Sequence, residues 1–200
     1  MSGYSDRTIH ALAYAAKQFA RDDTRPAALL ARPASLALIL ARYQCDEVTV
    51  VAAVLHEVLA QAPAAERAEL ARRIGEKFGP VILAVALEAQ EPDPPRERGM
   101  RRTWETERVD LLSHLLNLEP RTLSIRAAEE ILACGGVLSD MRRLGREYLP
   151  TIASATGEQL LWWFRAVIET LDRHDEWPRR EMVSELRLLT AELAAELGGA

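Results

Sequence analysis

Three features of the sequence predict an all-α fold. Apolar residues recur three or four positions apart along nearly the whole chain, which is the period of one helix face. The alternation that marks a half-buried strand is missing. Ala, Leu, Glu and Arg, all good helix formers, dominate the composition. Breaks in the pattern fall at Pro, Gly and short polar stretches, and they divide the 200 residues into about nine or ten helices. That length suits one domain with a substantial core. The expected architecture is a single compact helical bundle over 1–200, with a body at 1–175 and a C-terminal helix at 176–200.

Each element has a local reason. Ser5 is placed to cap a first helix that buries Ile9, Leu12, Ala16 and Phe19. The stretch Asp22 to Arg32 interrupts the pattern, and Pro33 suits the first turn of a second helix reaching about Tyr43. Asp46 caps a third helix to about Gln61. A fourth covers about Ala64 to Phe78 and stops at Gly79; Pro80 opens a fifth to about Gln90. Glu91-Pro92-Asp93-Pro94-Pro95 cannot be helical and marks a loop. Helices are then expected from about Met100 to Asn117, Pro120 to Cys134 and Val137 to Glu147, with Gly135-Gly136 between the last two. Another runs from about Thr156 to His174. The last, Pro178 to Leu197, carries Met182, Leu186, Leu189, Leu193 and Leu197 on one face. That stripe is either a seam against the body or the contact of a homodimer.

Composition excludes several roles. The net charge is −5, which argues against nucleic acid as the main partner, since phosphate contacts need clustered Lys and Arg. Arg96, Arg98, Arg101 and Arg102 do cluster, but Glu97, Glu105 and Glu107 lie among them, as on a solvated helix start. Cys45 and Cys134 form no CxxC pair and are expected as reduced core residues. No secretory signal opens the chain. No apolar run approaches the roughly 18 residues of a membrane span. A cytoplasmic location is the expectation. No phosphate-binding Gly-rich loop and no GxSxG serine are present.

The most informative pair is His56-Glu57, set in the otherwise apolar run Val50 to Ala60. Burying an ionised carboxylate costs several kcal/mol unless something pairs with it, roughly the penalty that forces such groups to find a partner or lose charge. The pair therefore needs a metal, a counter-charge or a solvent-lined pocket. Ile125 to Leu132 also sets charges, Arg126, Glu129 and Glu130, inside an apolar helical pattern. Two such sites on separate helices suggest one shared polar centre.

These residues give the chain a resemblance. Val48 to Val58 resembles a helix ending in Leu-His-Asp, and Ile125 to Ala133 resembles a Lys-x-Ala-Asp-x-x-x-Asn helix. Phe78-Gly79 with Val81, Trp104 to Leu112, and Leu161-Trp162-Trp163-Phe164-Arg165 resemble three further motifs in the same order. Together, over about Tyr4 to His174, they resemble the HD-domain metal-dependent phosphohydrolases. The branch they resemble includes the stringent-response alarmone hydrolases, which act on guanosine tetraphosphate, and their small stand-alone relatives. The resemblance implies an HD-type helical bundle. It also implies a divalent metal, often manganese, held by the His of a His-Pro pair, a His-Asp pair and a later Asp.

This chain departs from that pattern at most positions. His-Pro reads Arg32-Pro33, His-Asp reads His56-Glu57, and the later Asp reads Glu129. The family's Glu-Asp pair, which helps to activate water, is Ala60-Gln61, and its later Asn is Ala133. The basic loop before the His-Pro is shortened to Asp22–Ala31. A guanidinium has no lone pair to offer a cation, but it binds carboxylates well through charge-assisted hydrogen bonds. Arg32 is therefore expected to stand in for the metal beside Glu57 and Glu129, with no metal bound.

The expected site comprises His56 and Glu57 as the candidate catalytic or remnant groups, with Arg25, Arg32, Glu129, Arg126 and Tyr148 around a ligand pocket. Arg126 stands at a family Lys position and pairs either with a carboxylate of the His56 helix or at the surface. Tyr148 falls near the family's nucleotide pocket, or caps a helix end. Arg25 could hold one phosphate. Glu130 is expected in solvent, and Trp162 and Trp163 in the core. Three functions remain open. The first is a non-hydrolytic protein that binds a small, phosphate-containing or other ligand, or a protein. The second is a divergent phosphohydrolase with Mn²⁺ or another divalent ion. The third is a metal-independent enzyme using His56 or Glu57 as acid or base.

Overall fold

In the computed structural model, the described residues are 5–20, 26–91, 103–149 and 155–198, with backbone alone for 26–28. Arg25, one of the expected pocket residues, lies outside them. The described residues form nine α-helices and one 3-10 turn, with no strand. The helices are α1 (Asp6–Phe19), α2 (Pro26–Arg42), α3 (Glu47–Gln61), α4 (Ala64–Phe78), α5 (Pro80–Glu88), α6 (Trp104–Leu115), α7 (Pro120–Leu144), α8 (Gly157–Asp172) and α9 (Glu181–Gly198). The 3-10 turn is Arg146–Tyr148. None of these helices is long and apolar enough to cross a membrane.

Most boundaries follow from capping chemistry. The side chains of Ser5, Asp46, Thr103 and Thr156 accept hydrogen bonds from backbone N–H groups three residues on, meeting donors that the first turn leaves unpaired. Gln159 returns the bond to Thr156 N, which completes a capping box. Gly79, at φ 95°, takes a conformation open to glycine and ends α4, and Pro80 starts α5 in the next position.

Two expected breaks are absent. α2 begins at Pro26 and runs through Pro33. An interior proline removes one hydrogen bond and crowds the preceding turn, at a cost of about 3 kcal/mol. Packing of α2 against both α1 and α3 offsets that cost, and Pro26 supplies the favourable first-turn proline. α7 likewise continues through Gly135-Gly136. Each glycine weakens a helix by only about 1 kcal/mol relative to alanine, and at Gly135 a Cβ would already touch Leu189 of α9 at 3.9 Å.

α1 also turns a different face inward. Thr8, Ala11, Ala15 and Phe19 are buried, whereas Ile9 is 46% exposed. α1 packs on α2 and α3, and alanines at the seam let the helices approach closely. Counting apolar bulk favoured the neighbouring face.

The chain divides into two units, Met1–Glu91 with Glu119–Ala128, and Pro92–Leu118 with Glu129–Ala200. In the first, α3 is the central helix and touches α1, α2, α4 and α5. Every residue from Thr49 to Leu59 is buried, the mark of a helix enclosed on all sides. In the second, α8 packs against α6 and α9. Met182, Val183, Leu186, Thr190 and Leu193 form the buried face of α9.

Candidate polar centre on the buried helix

The first turns of α3 and α7 are tied together. Asp46, the cap of α3, accepts from Thr49 N and Oγ1 at 2.8 and 2.7 Å, and Arg121 Nε donates to its other oxygen at 2.8 Å. Burial pulls the Asp46 pKa upward, but the bonds from Thr49 and Arg121 outweigh it and hold the carboxyl below its ordinary value of 3.8. Glu88 secures the start of α7 by accepting from Glu119 N and from the Thr122 hydroxyl. A carboxylate at a helix N-terminus also favours the macrodipole.

From these anchors, helical rise does the positioning. His56 lies ten residues beyond Asp46 and Glu129 eight beyond Arg121, or about 15 Å and 12 Å along their helices at 1.5 Å per residue. The unit division falls inside α7 between Ala128 and Glu129. His56 and Glu57 are buried in the first unit, and Glu129 is buried in the second.

Arg32 projects from α2 to Glu57. Its Nε donates to Glu57 Oε1 at 2.7 Å. The Glu57 side chain is 5% exposed and that of Arg32 is 46% exposed, so a buried carboxylate meets a half-solvated guanidinium. His56 Nε2 lies 4.0 Å from the same Glu57 oxygen. On its other side, the imidazole meets Gln90, just beyond α5. The Gln90 amide nitrogen is 2.7 Å from His56 Nδ1, 3.0 Å from the His56 carbonyl oxygen and 3.4 Å from that of Ala86. Nothing in the sequence singles out Gln90. A glutamine at a helix end before a Pro-rich stretch reads as solvated, and only the packing of α5 on α3 recruits it.

The other expected residues fall as follows. Arg126 Nη2 pairs with Glu91 Oε1 at 3.3 Å; the arginine side chain is 12% exposed and the glutamate 56%. That glutamate follows α5. Glu130, expected in solvent, is buried in the second unit and accepts from Trp163 Nε1 at 2.8 Å. An indole N–H in a core needs an acceptor, and this carboxylate supplies it. Arg108 lies over the Trp163 ring at 4.7 Å. Trp163 is buried as expected, but Trp162 is substantially exposed and meets Trp104 edge-on at 5.9 Å. Tyr148 sits half-exposed on the 3-10 turn of the second unit.

The resemblance puts a divalent ion beside His56 and Glu57, and the groups around that pair bear on whether one fits. The Glu57 oxygen nearest His56 is already taken by a guanidinium, which would repel a cation. The Gln90 amide nitrogen, moreover, lies 2.7 Å from His56 Nδ1, on the side where a ligating histidine ordinarily donates its second N–H outward.

Residues 11–133 match the family described as HD domain. The fold is similar to that in the crystal structure of lmo0812 from Listeria monocytogenes EGD-e. That likeness has a TM-score of 0.61 and 16% identity, and it covers 82% of this chain and 99% of the other. Among curated proteins none matches this chain.

Proposed function

Because the chain belongs to the HD domain family, its polar centre is to be read against that family's metal site, and we propose that a fixed positive charge here takes the metal's place. The protein is then a non-hydrolytic HD-fold binder of a small ligand or a protein partner. The Arg32–Glu57 pair at 2.7 Å carries this reading. Arg32 stands where the resemblance puts the His of a His-Pro pair, and a guanidinium always remains charged in a protein. It neutralises part of the charge of Glu57 without chelation. Ala60 and Gln61, at the positions that help to activate water in the alarmone hydrolases, offer no general base.

A phosphate-containing small molecule is the ligand class we favour. Space for a small ligand also exists beside the last turn of α3. A cavity of about 320 Å³ is lined by residues including Gln18, Phe19, Val58, Gln61, Glu66 and Arg73, near the lower end of the range for small-molecule sites.

The second reading is a divergent metal-dependent phosphohydrolase. It draws on the buried His56-Glu57 pair and on the exposure of Arg32, which leaves that side chain room to swing into water. Elemental analysis of purified protein, with an assay of guanosine tetraphosphate and Mn²⁺, separates the two. The binder reading expects less than stoichiometric Mn, Zn or Fe and negligible turnover. One equivalent of tightly held metal, lost in His56→Ala together with metal-dependent turnover, would establish the hydrolase instead.

A further inference from the structure

We propose that Gln90 is a positioning residue that locks His56 as the neutral tautomer protonated on Nε2. The polar centre then offers a hydrogen-bond donor where a metal would need a lone pair. This rests on the metal-free reading above but on a different observation, since Arg32 acts on a carboxylate and Gln90 on the imidazole.

A carboxamide is nearly symmetric in shape but not in chemistry. Its nitrogen donates twice and its oxygen only accepts, so the surrounding hydrogen bonds decide which end faces which neighbour. Two of the three neighbours of the Gln90 nitrogen are backbone carbonyl oxygens, those of His56 at 3.0 Å and Ala86 at 3.4 Å. Carbonyls only accept, so the group facing them is the NH₂. Reversing the amide would set its oxygen against both carbonyls and would gain only one bond, from an Nδ1–H. With the NH₂ in place, His56 Nδ1 at 2.7 Å cannot carry a proton, because two N–H groups would face each other. It accepts instead, and in the neutral ring the proton resides on Nε2. That nitrogen is the one 4.0 Å from Glu57 Oε1.

Metal-bound histidines show the opposite arrangement, with the second ring N–H donated to an acceptor and the lone pair directed at the ion. Here the partner is a donor held by the backbone of α3 and α5, and the imidazole is set for hydrogen bonding.

The test is a two-bond ¹H–¹⁵N spectrum of the full chain labelled with ¹⁵N-histidine, with the metal content of the same sample measured. His10→Gln, His114→Gln and His174→Gln assign the signals by subtraction and leave His56 intact. The expected spectrum has an unprotonated His56 Nδ1 and a protonated Nε2. Gln90→Met removes the donor and should move His56 toward a mixture of tautomers. Gln90→Glu supplies an acceptor, should move the proton to Nδ1, and should tighten Co²⁺ binding by roughly 10–100-fold, the scale of such outer partners. If neither variant folds, the wild-type spectrum still decides the tautomer. A protonated Nδ1 in metal-free protein overturns this inference and leaves the metal-free reading standing. A protonated Nδ1 with one equivalent of metal overturns both. An unchanged His56 signal in folded Gln90→Met removes Gln90 from the role.

Discussion

Replacing Arg32 with alanine tests the centre most directly. The Glu57 side chain is 5% exposed and accepts from Arg32 Nε at 2.7 Å, so the substitution leaves a buried carboxylate without this donor. Breaking a fully buried pair costs about 3–5 kcal/mol, and an exposed pair about 0.2–1 kcal/mol. The guanidinium here is 46% exposed, which places the pair between those limits, near about 2–3 kcal/mol. For a chain of this size about 1 kcal/mol moves Tm by about 2–4 °C, so Arg32→Ala should melt about 4–12 °C below wild type. Thermal unfolding followed by circular dichroism reads the shift. A double-mutant cycle with Glu57→Gln isolates the pair, because that change removes the charge and keeps the volume. Once Glu57 is neutral, Arg32→Ala should cost markedly less, which gives a non-additive cycle. An Arg32→Ala melt within about 1 °C of wild type, a shift no larger than a weak exposed pair gives, or strict additivity, would refute the account of a partly buried ion pair.

Other consequences reach beyond that pair. The Asp46 pKa is depressed in the folded state, so its charge contributes stability that is present above the unfolded value and is lost as pH falls through the folded one. Asp46→Asn keeps a capping side chain and removes the charge; its deficit against wild type should be largest above about pH 4 and vanish in stronger acid. Burial, helped by Glu130 and Glu192 and only partly opposed by a hydrogen bond with Thr190, pushes the Cys134 thiol up to about 12. Its labelling by a thiol reagent at pH 8 should therefore require unfolding, and fast labelling of native protein would contradict its place in the core. Trp163→Phe should destabilise by about 1–3 kcal/mol in denaturant titration, because it removes a donor from the buried Glu130; an unchanged midpoint would mean that this bond contributes nothing.

Local chemistry determined much of this protein from sequence alone. Apolar period set the all-α class. Side-chain caps at Ser5 and Asp46, with the Gly79-Pro80 junction, marked boundaries that the structure reproduces. An apolar run interrupted by His56-Glu57 pointed to a buried polar pair, and both residues are 4% exposed. Such features are written in neighbouring residues, although the groups that satisfy His56 and Glu57 come from elsewhere in the chain.

Tertiary packing decided the rest. The inward face of α1 went to Ala11 and Ala15, because close approach selects small side chains. α2 continued through Pro33 and α7 through Gly135-Gly136, since helix-breaking penalties of about 1–3 kcal/mol per residue are small against the burial of a whole helix face. Glu130 went inside because Trp163, from another helix, needed an acceptor there. Gln90 came to His56 across 34 positions of chain. A hydrogen bond between residues so far apart leaves no local period or motif, so only the fold could show which nitrogen of His56 faces a donor.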